Sequence, residues 1–458
     1  MLPPQVADYL NLHRKDSLYS LFELLRIPSI ANDTSRPDRC MEAAEWVAGR
    51  LSGLGFDAEI LPTAGRPAVA GDLHVRDTAP TLLVYAHYDV QPAEPLDEWH
   101  SPPFEPQLRD GRIYARGASD DKGPLVAFLA AAEAWVRNGG PPVNLRFFVE
   151  GEEEVGSPNV EPFVAEHRDR LAADAAVVAD TMFFRPGLPS ITYGLRGLAY
   201  FQITIEGPSR DLHSGLYGGG VVNPANALAG IAASLHDAKG RIAIEGFYDD
   251  VVETTDAERE SWAALPFDAG EFAAEAGVEA LAAGDADVIE RVWARPSLDI
   301  NGIVGGYTQP GSKTIIPARA SAKVSIRLAP RQDPQRVVAA FRRHVAAATP
   351  VGVRSSVAVH ATARPVLVPP DSPGVRAARA ALSEAFGTPP EPVLIRCGAS
   401  VPVTEVLQRL LGVAPVMIGC QSPDDRLHSP NEKYGLDMFE RTAVAAAALM
   451  QNVARPLQ

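Results

Sequence analysis

Hydrophobic and polar positions change their period twice along this chain, and the changes divide it. Residues 16–25 and 39–54 carry apolar side chains at three- and four-residue spacing, which predicts amphipathic helices. Short apolar runs then alternate with helical stretches: TLLVYA (81–86), a helix over 124–138, LRFFV (145–149), a helix over 160–171, and AAVVA (175–179). That order predicts a mostly parallel sheet with helices on both faces. Strands without polar alternation belong inside such a sheet, and its chemistry collects at their carboxyl ends.

The period switches after Gly194. LAYFQITIEG (198–207) and SAKVSIRLAP (321–330) alternate apolar and polar residues, the mark of antiparallel strands with one covered face. Helices over 223–236 and 334–348 and a strand over 355–360 complete a smaller α+β module. The first pattern returns near Asp371, with a helix over 372–386, strands at PVLIR and VAPVMIG, and a closing helix over 434–453. The expected organisation is an α/β domain made of residues 1–195 and 366–458, with residues 196–365 inserted into it.

Composition narrows the function classes. A chain of 458 residues is too long for one ordinary core, and 46% hydrophobic with 22% charged residues is a soluble globular balance. A formal charge of −15 argues against a nucleic-acid partner, whose phosphates need clustered Lys and Arg. Cys40, Cys397 and Cys420 are too few and too irregularly spaced for a disulfide framework or a thiolate zinc site, so a reducing, cytoplasmic location is expected. The N-terminal segment does not read as a signal peptide, and no run of about 18 apolar residues suggests a membrane span.

Candidate chemistry sits where the apolar runs stop. His87 follows LLVYA, Glu154 follows LRFFVEGEE and Asp180 follows AAVVA, while Asp120 and His428 come from loops. Two imidazoles and three carboxylates suit Zn²⁺ or Mn²⁺. In HYDVQP, His87 and Asp89 are two apart, so an extended backbone points both to one face, where Asp89 can accept the free ring N–H. In GASDDKGP the adjacent acids Asp120 and Asp121 repel unless a cation sits beside them, and Pro124 is expected to open the next helix. EGEEEVGS offers neighbouring acids for a division of labour, one binding metal and one taking a proton. Taken singly, these segments also read as a strand end, a helix cap and an acidic turn.

HYDVQP, ARGASDDKGP, EGEEEVGS, ITYGLRG, DLHSGLYGG, GSKTIIP, VSIRL and HSPNEK occur in this order along nearly the whole chain. Together they resemble the carnosinase-type cytosolic non-specific dipeptidases, a branch of the dinuclear metallopeptidases that also include aminoacylase and glutamate carboxypeptidase. The resemblance implies a zinc-peptidase-like α/β catalytic domain with an inserted α+β lid and dimerisation domain. It also implies two divalent ions per subunit, Zn²⁺ or Mn²⁺, with His87 and Asp180 on one, Glu154 and His428 on the other, and Asp120 bridging. Glu153 is implied as general base, Asp89 as partner of His87, and the Asp120–Asp121 peptide as cis. His213 is implied to serve the active site of a partner subunit in a homodimer, and Thr314, Arg327 and Ser400 to bind the substrate's terminal carboxylate.

The implied reaction is hydrolysis of the amide bond of a dipeptide or other very short peptide by a water bridging two metals. An N-acyl amino-acid deacylase or carboxypeptidase on the same core is the alternative, and a catalytically inactive binding relative a remote one. Two positions depart from the family pattern. Ala399 replaces the second of two glycines before Ser400, and Glu152 stands where relatives often have an apolar residue, with a charge expected to raise the proton affinity of Glu153.

Overall fold

The computed structural model describes residues 1–282, 284 and 286–455, which form two compact units. One comprises Met1–Tyr193, Val368–Ile395 and Val401–Gln458; the other comprises Gly194–Leu367 with Arg396–Ser400.

The first unit is built on a sheet with strands in the order Asp57–Leu61, Ala68–Leu73, Asn144–Glu150, Thr81–His87, Ala175–Met182, Pro415–Gln421 and Ser190–Leu195. The central four, Asn144–Glu150 to Pro415–Gln421, are parallel, and the flanking pairs are antiparallel. Residues Leu82–Ala86 are buried throughout, which is why TLLVYA shows no alternation. The helix Lys122–Arg137 is apolar nearly all round because it too lies inside, against Arg14–Leu25 and Leu436–Ala454. Its Trp135 indole donates to Ala447 O at 3.0 Å. The helix begins at Lys122, two residues before the expected Pro124, so Pro124 is its third residue. A proline there costs little, since first-turn N–H groups have no intrahelical acceptor. The helix expected over 160–171 is broken at His167 into Val160–Glu166 and Arg168–Leu171.

The second unit carries a four-stranded antiparallel sheet, Ser297–Gly305, Arg319–Leu328, Gly197–Glu206 and Arg354–Ala363. Helices Pro224–Ser234 and Pro334–Ala348 pack on it, with Phe201 and Phe341 rings stacked 4.2 Å apart. Burial alternates strictly along Gly197–Glu206, which matches the polar–apolar alternation of the sequence. Between the first of these helices and Ser297–Gly305 the described residues form three short helices, Asp256–Ala263, Ala269–Glu275 and Val288–Trp293. Among the described residues no helix is long and apolar enough to cross a membrane.

Candidate active site

All four parallel strands contribute a polar side chain at or near the carboxyl end. His87 and Gln421 end theirs, Asp180 lies two residues from the end of Ala175–Met182, and Glu150 leads into the turn that carries Glu152, Glu153 and Glu154. Their strands are neighbours in the sheet, so residues remote in sequence converge.

His87 is fully buried. Its Nδ1 lies 3.1 Å from Asp89 O and 3.3 Å from Asp89 Oδ1, while Nε2 faces Asp120 Oδ1 at 3.2 Å and Asp180 Oδ2 at 3.8 Å. A proton on Nδ1 directed at Asp89 leaves the Nε2 lone pair facing the carboxylates. Asp89 also accepts the backbone N–H of Glu153 at 3.2 Å and of Glu154 at 3.0 Å. One buried acid therefore orients both the ring and the acidic turn. The second oxygen of Asp120 lies 3.0 Å from His428 Nε2, which is 3.3 Å from Glu154 Oε2. Ligand atoms of His87, Glu153 and Asp180 all lie within 4.8 Å of one another, and so do those of Asp120, Glu154 and His428. Each of these triads could hold a metal ion. The Asp120–Asp121 peptide is cis, and Asp121 turns its carboxylate to accept the His87 N–H at 3.2 Å.

Crowded acids shape the protonation. Burial pushes the Glu153 carboxyl well above its ordinary range, against His87 and with help from Asp180, Asp120 and Glu154. Burial and then Asp120 push Asp180 up to about 6. Burial opposes ionisation of Asp120 as well, but hydrogen bonds from His428 and His87 hold it far below the usual carboxylate range. Asp120 and then Glu154 raise His428 to about 10.

Several residues that sequence reasoning passed over complete the arrangement. Gln421 donates to Asp180 Oδ1 at 2.9 Å, and Gln91 donates to Glu154 Oε2 at 2.8 Å. Gln421 ends the fourth parallel strand, so the strand-end rule that singled out His87 would have found it. Glu432, fully buried, accepts from Gly117 N (2.9 Å), Ser119 N (2.9 Å), Asp120 N (3.2 Å) and Arg116 Nη1 (2.8 Å). Asp425 accepts the Ser119 hydroxyl at 2.7 Å. The loop that delivers His428 thus also clamps the loop that delivers Asp120. His428 takes a left-handed φ of 60°, and so does Asn431 at 62°, whose side chain is fixed by His100 N and Glu98 O at 2.8 Å each.

In the second unit the expected residues form two pairs. His213 is exposed and stands opposite Ile315, next to the exposed Thr314, whose carbonyl accepts from Ser214 N at 3.1 Å. Arg327 Nη1 lies 3.3 Å from Ser400 Oγ.

Glu152 is buried in the acidic turn. Its carboxylate accepts from Asn159 Nδ2 at 2.6 Å and fills a niche beside Gly65, where any β-carbon would lie 1.9 Å from Glu152 Oε1. The acids that raise Glu153 most are Asp180, Asp120 and Glu154. Ala399 is exposed, and the position that requires glycine is Gly398, where a β-carbon would lie 2.7 Å from Arg196 Nη2 and 2.8 Å from Val292 O.

A parallel-stranded α/β unit that gathers two imidazoles and a cluster of carboxylates can hold metal ions, as a metallopeptidase centre must. Peptidase family M20/M25/M40 matches residues 83–452, and the chain belongs to that family of peptide-bond hydrolases. It is similar to the human Beta-Ala-His dipeptidase, with 31% identity covering 98% of this chain and 92% of the relative. Among solved structures it resembles the di-peptidase Dug1p of Saccharomyces cerevisiae (29% identity, TM-score 0.83, 98% of both chains). It also resembles the M20 metallo-carboxypeptidase Sso-CP2 of Sulfolobus solfataricus (33% identity, TM-score 0.87, 96% of this chain and 99% of that one).

Proposed function

We propose that this protein is a dinuclear metallodipeptidase that hydrolyses the amide bond of dipeptides or other very short peptides. The carrying observation is Asp120, whose two oxygens each face a different imidazole, His87 at 3.2 Å and His428 at 3.0 Å. That is the disposition a carboxylate bridging two cations requires.

The side chains present fit such cations. The donors are imidazole and carboxylate, a hard set matched to Zn²⁺ or Mn²⁺. Burial, reinforced by the neighbouring acids, raises the Glu153 and Asp180 carboxyls, so positive charge placed beside them is favoured. Two divalent ions, held by His87 and Asp180, by Glu154 and His428, and by Asp120 between them, would polarise the scissile carbonyl and acidify the attacking water.

Glu153 supplies the proton transfers. Its carboxylate takes a proton from the water as the water oxygen bonds to the carbonyl carbon, then returns a proton to the amide nitrogen as the C–N bond breaks and an amine leaves. Asp89 holds both the His87 tautomer and the Glu153 backbone, so the base and a ligand keep a fixed relation. Arg327, with Ser400 and Thr314, would bind the terminal carboxylate of the substrate, Arg being suited to its planar shape. In this reading residues 196–365 are a lid and dimerisation domain, His213 serves the carbonyl oxygen of a substrate bound by a second copy in a homodimer, and the enzyme works in the cytoplasm.

The similarity to a metallo-carboxypeptidase supports the rival reading that longer peptides are trimmed from the carboxyl end. Turnover of a dipeptide, a pentapeptide and an N-acetylated amino acid by protein loaded with Zn²⁺ or with Mn²⁺ separates the readings. Preference for the dipeptide is expected. Activity confined to the pentapeptide or to the N-acetylated compound would overturn the dipeptidase reading.

A further inference from the structure

Arg196, from the ITYGLRG segment, holds the 397–400 loop at three points. Its backbone N–H donates to Cys397 O at 3.2 Å, its Nε donates to Gly398 O at 3.2 Å, and its carbonyl accepts the Ser400 hydroxyl at 2.5 Å. Nη1 is tied to Arg295 O at 3.2 Å and Ser297 Oγ at 3.3 Å. Ser297 stands directly opposite Arg327 on the neighbouring strand, and Ser400 Oγ is 3.3 Å from Arg327 Nη1. Arg196, Ser297, Ser400 and Arg327 therefore form one connected group.

The group carries two positive charges. Among the described residues neither guanidinium forms an ion pair, and Asp299 is linked to Arg196 through Ser297, whose hydroxyl lies 3.3 Å from Arg196 Nη1 and donates to Asp299 Oδ2 at 3.4 Å. Burial, and then repulsion from Arg327, lowers the Arg196 guanidinium to about 10. Two cations brought together with no carboxylate in direct contact favour the arrival of an anion. Gly398 fits the same purpose, since a side chain there would displace the Arg196 guanidinium or the Val292 carbonyl.

On the reading that the substrate is a short peptide with a free terminal carboxylate, we propose that Arg196 is the positioning residue that sets selectivity for that carboxylate. Its backbone carbonyl holds Ser400 beside Arg327, while its guanidinium braces Gly398 and Ser297 and supplies the second positive charge of the anion subsite.

The test compares alanyl-alanine with its carboxamide, alanyl-alaninamide, on the metal-loaded wild type and on Arg196→Met and Arg196→Lys. The wild type should prefer the acid. Losing one charge-assisted interaction raises KM for alanyl-alanine by about 10- to 100-fold, with kcat within about threefold and the carboxamide nearly unaffected. Arg196→Lys, which keeps the charge and loses the fork, should recover part of the preference. A merely structural residue would depress both substrates together, and that result overturns the proposal. So does a variant that still separates acid from carboxamide as the wild type does. A wild type indifferent to the carboxylate would instead refute the underlying assignment of the substrate terminus to Arg327. Should Arg196→Met fail to fold by circular dichroism, Arg196→Lys alone carries the same comparison.

Discussion

Replacing Glu432 by Gln tests whether the site depends on a buried clamp that touches none of the proposed metal-holding side chains. Glu432 takes four donors on two oxygens: Arg116 Nη1, and the backbone N–H groups of Gly117, Ser119 and Asp120. Gln has nearly the same shape, so no cavity forms. It removes the charge facing Arg116, which is 1% exposed, and turns an NH₂ group toward donors that need an acceptor. Leaving one member of a buried ion pair uncompensated costs about 3–5 kcal/mol, and an orphaned buried N–H adds about 1–3 kcal/mol. The remaining bond from Arg116 Nη2 to Pro92 O at 3.1 Å, partial relaxation, and relief from keeping a burial-raised carboxylate ionised offset much of this, so a net loss of about 1–2 kcal/mol is expected. Burial pushes the Glu432 carboxyl up to about 7, so the comparison belongs at pH 8, where the carboxylate form predominates.

Because the backbone N–H of Asp120 is one of the four donors, the same change should loosen the central ligand. Metal affinity is expected to fall about 10- to 100-fold. Urea unfolding of the metal-free protein measures the first effect, and titration of the apoprotein with Zn²⁺ or Mn²⁺ by calorimetry measures the second. Unfolding free energy within 0.5 kcal/mol of wild type together with unchanged affinity, roughly the noise of additive surface changes, would refute the clamp.

Glu153→Gln should leave metal stoichiometry intact by elemental analysis while kcat falls about 10²- to 10⁴-fold; retained turnover would mean that another group moves the proton. Chelation should abolish amide hydrolysis, with recovery on adding back Zn²⁺ or Mn²⁺, and metal-independent turnover would exclude the proposed chemistry. Glu150 gives a pH signature: burial raises its carboxyl from 4.5 to about 7, against hydrogen bonds from the Tyr85 and Ser157 hydroxyls. A folded-state value above the unfolded one means stability that is full below 4.5 and lost as pH rises through about 7, so Glu150→Gln, which cannot ionise, should gain on wild type by about 3 kcal/mol between pH 4.5 and 8. Urea melts of the metal-free proteins at pH 5 and pH 8 that show the same gap would contradict this.

Much of the architecture was legible because burial writes a period into the sequence. The helix Pro334–Ala348 could be bounded from Pro334 and its apolar spacing, and Asp333 caps it by accepting from Gln335 N. Strands apolar on both faces marked the sheet interior, and their ends marked His87, the acidic turn and Asp180. The helices between residues 256 and 293 were not legible, being short, acid-rich and weakly periodic; Asp256–Ala263 is fixed chiefly by a capping box between Thr255 and Glu258. Glu432 was hidden for another reason. Its partner Arg116 is 316 residues away, and a long-range pair leaves no local pattern to read. Arg196 shares that character, since its meaning depends on Gly398 and Ser400, about 200 positions later in the chain.

These two kinds of residue carry different parts of the design. Strand ends bring His87, Glu153, Glu154 and Asp180 together because the middle of the sheet is largely apolar, so a cluster of buried acids gathers where the strands stop. Asp120 and His428 come from loops, which the sheet alone cannot hold in place, and the buried Glu432–Arg116 pair supplies that constraint. The assembled acids repel one another, and a bound cation relieves that repulsion in the folded protein while finding no preformed site in the unfolded chain. Metal affinity and folding stability are then one linked quantity, growing as RT ln(1 + [M]/Kd) for each site. The clamp and the ligands should therefore fail together: a substitution that loosens the 117–121 loop weakens metal binding, and removing metal exposes the same loop to unfolding.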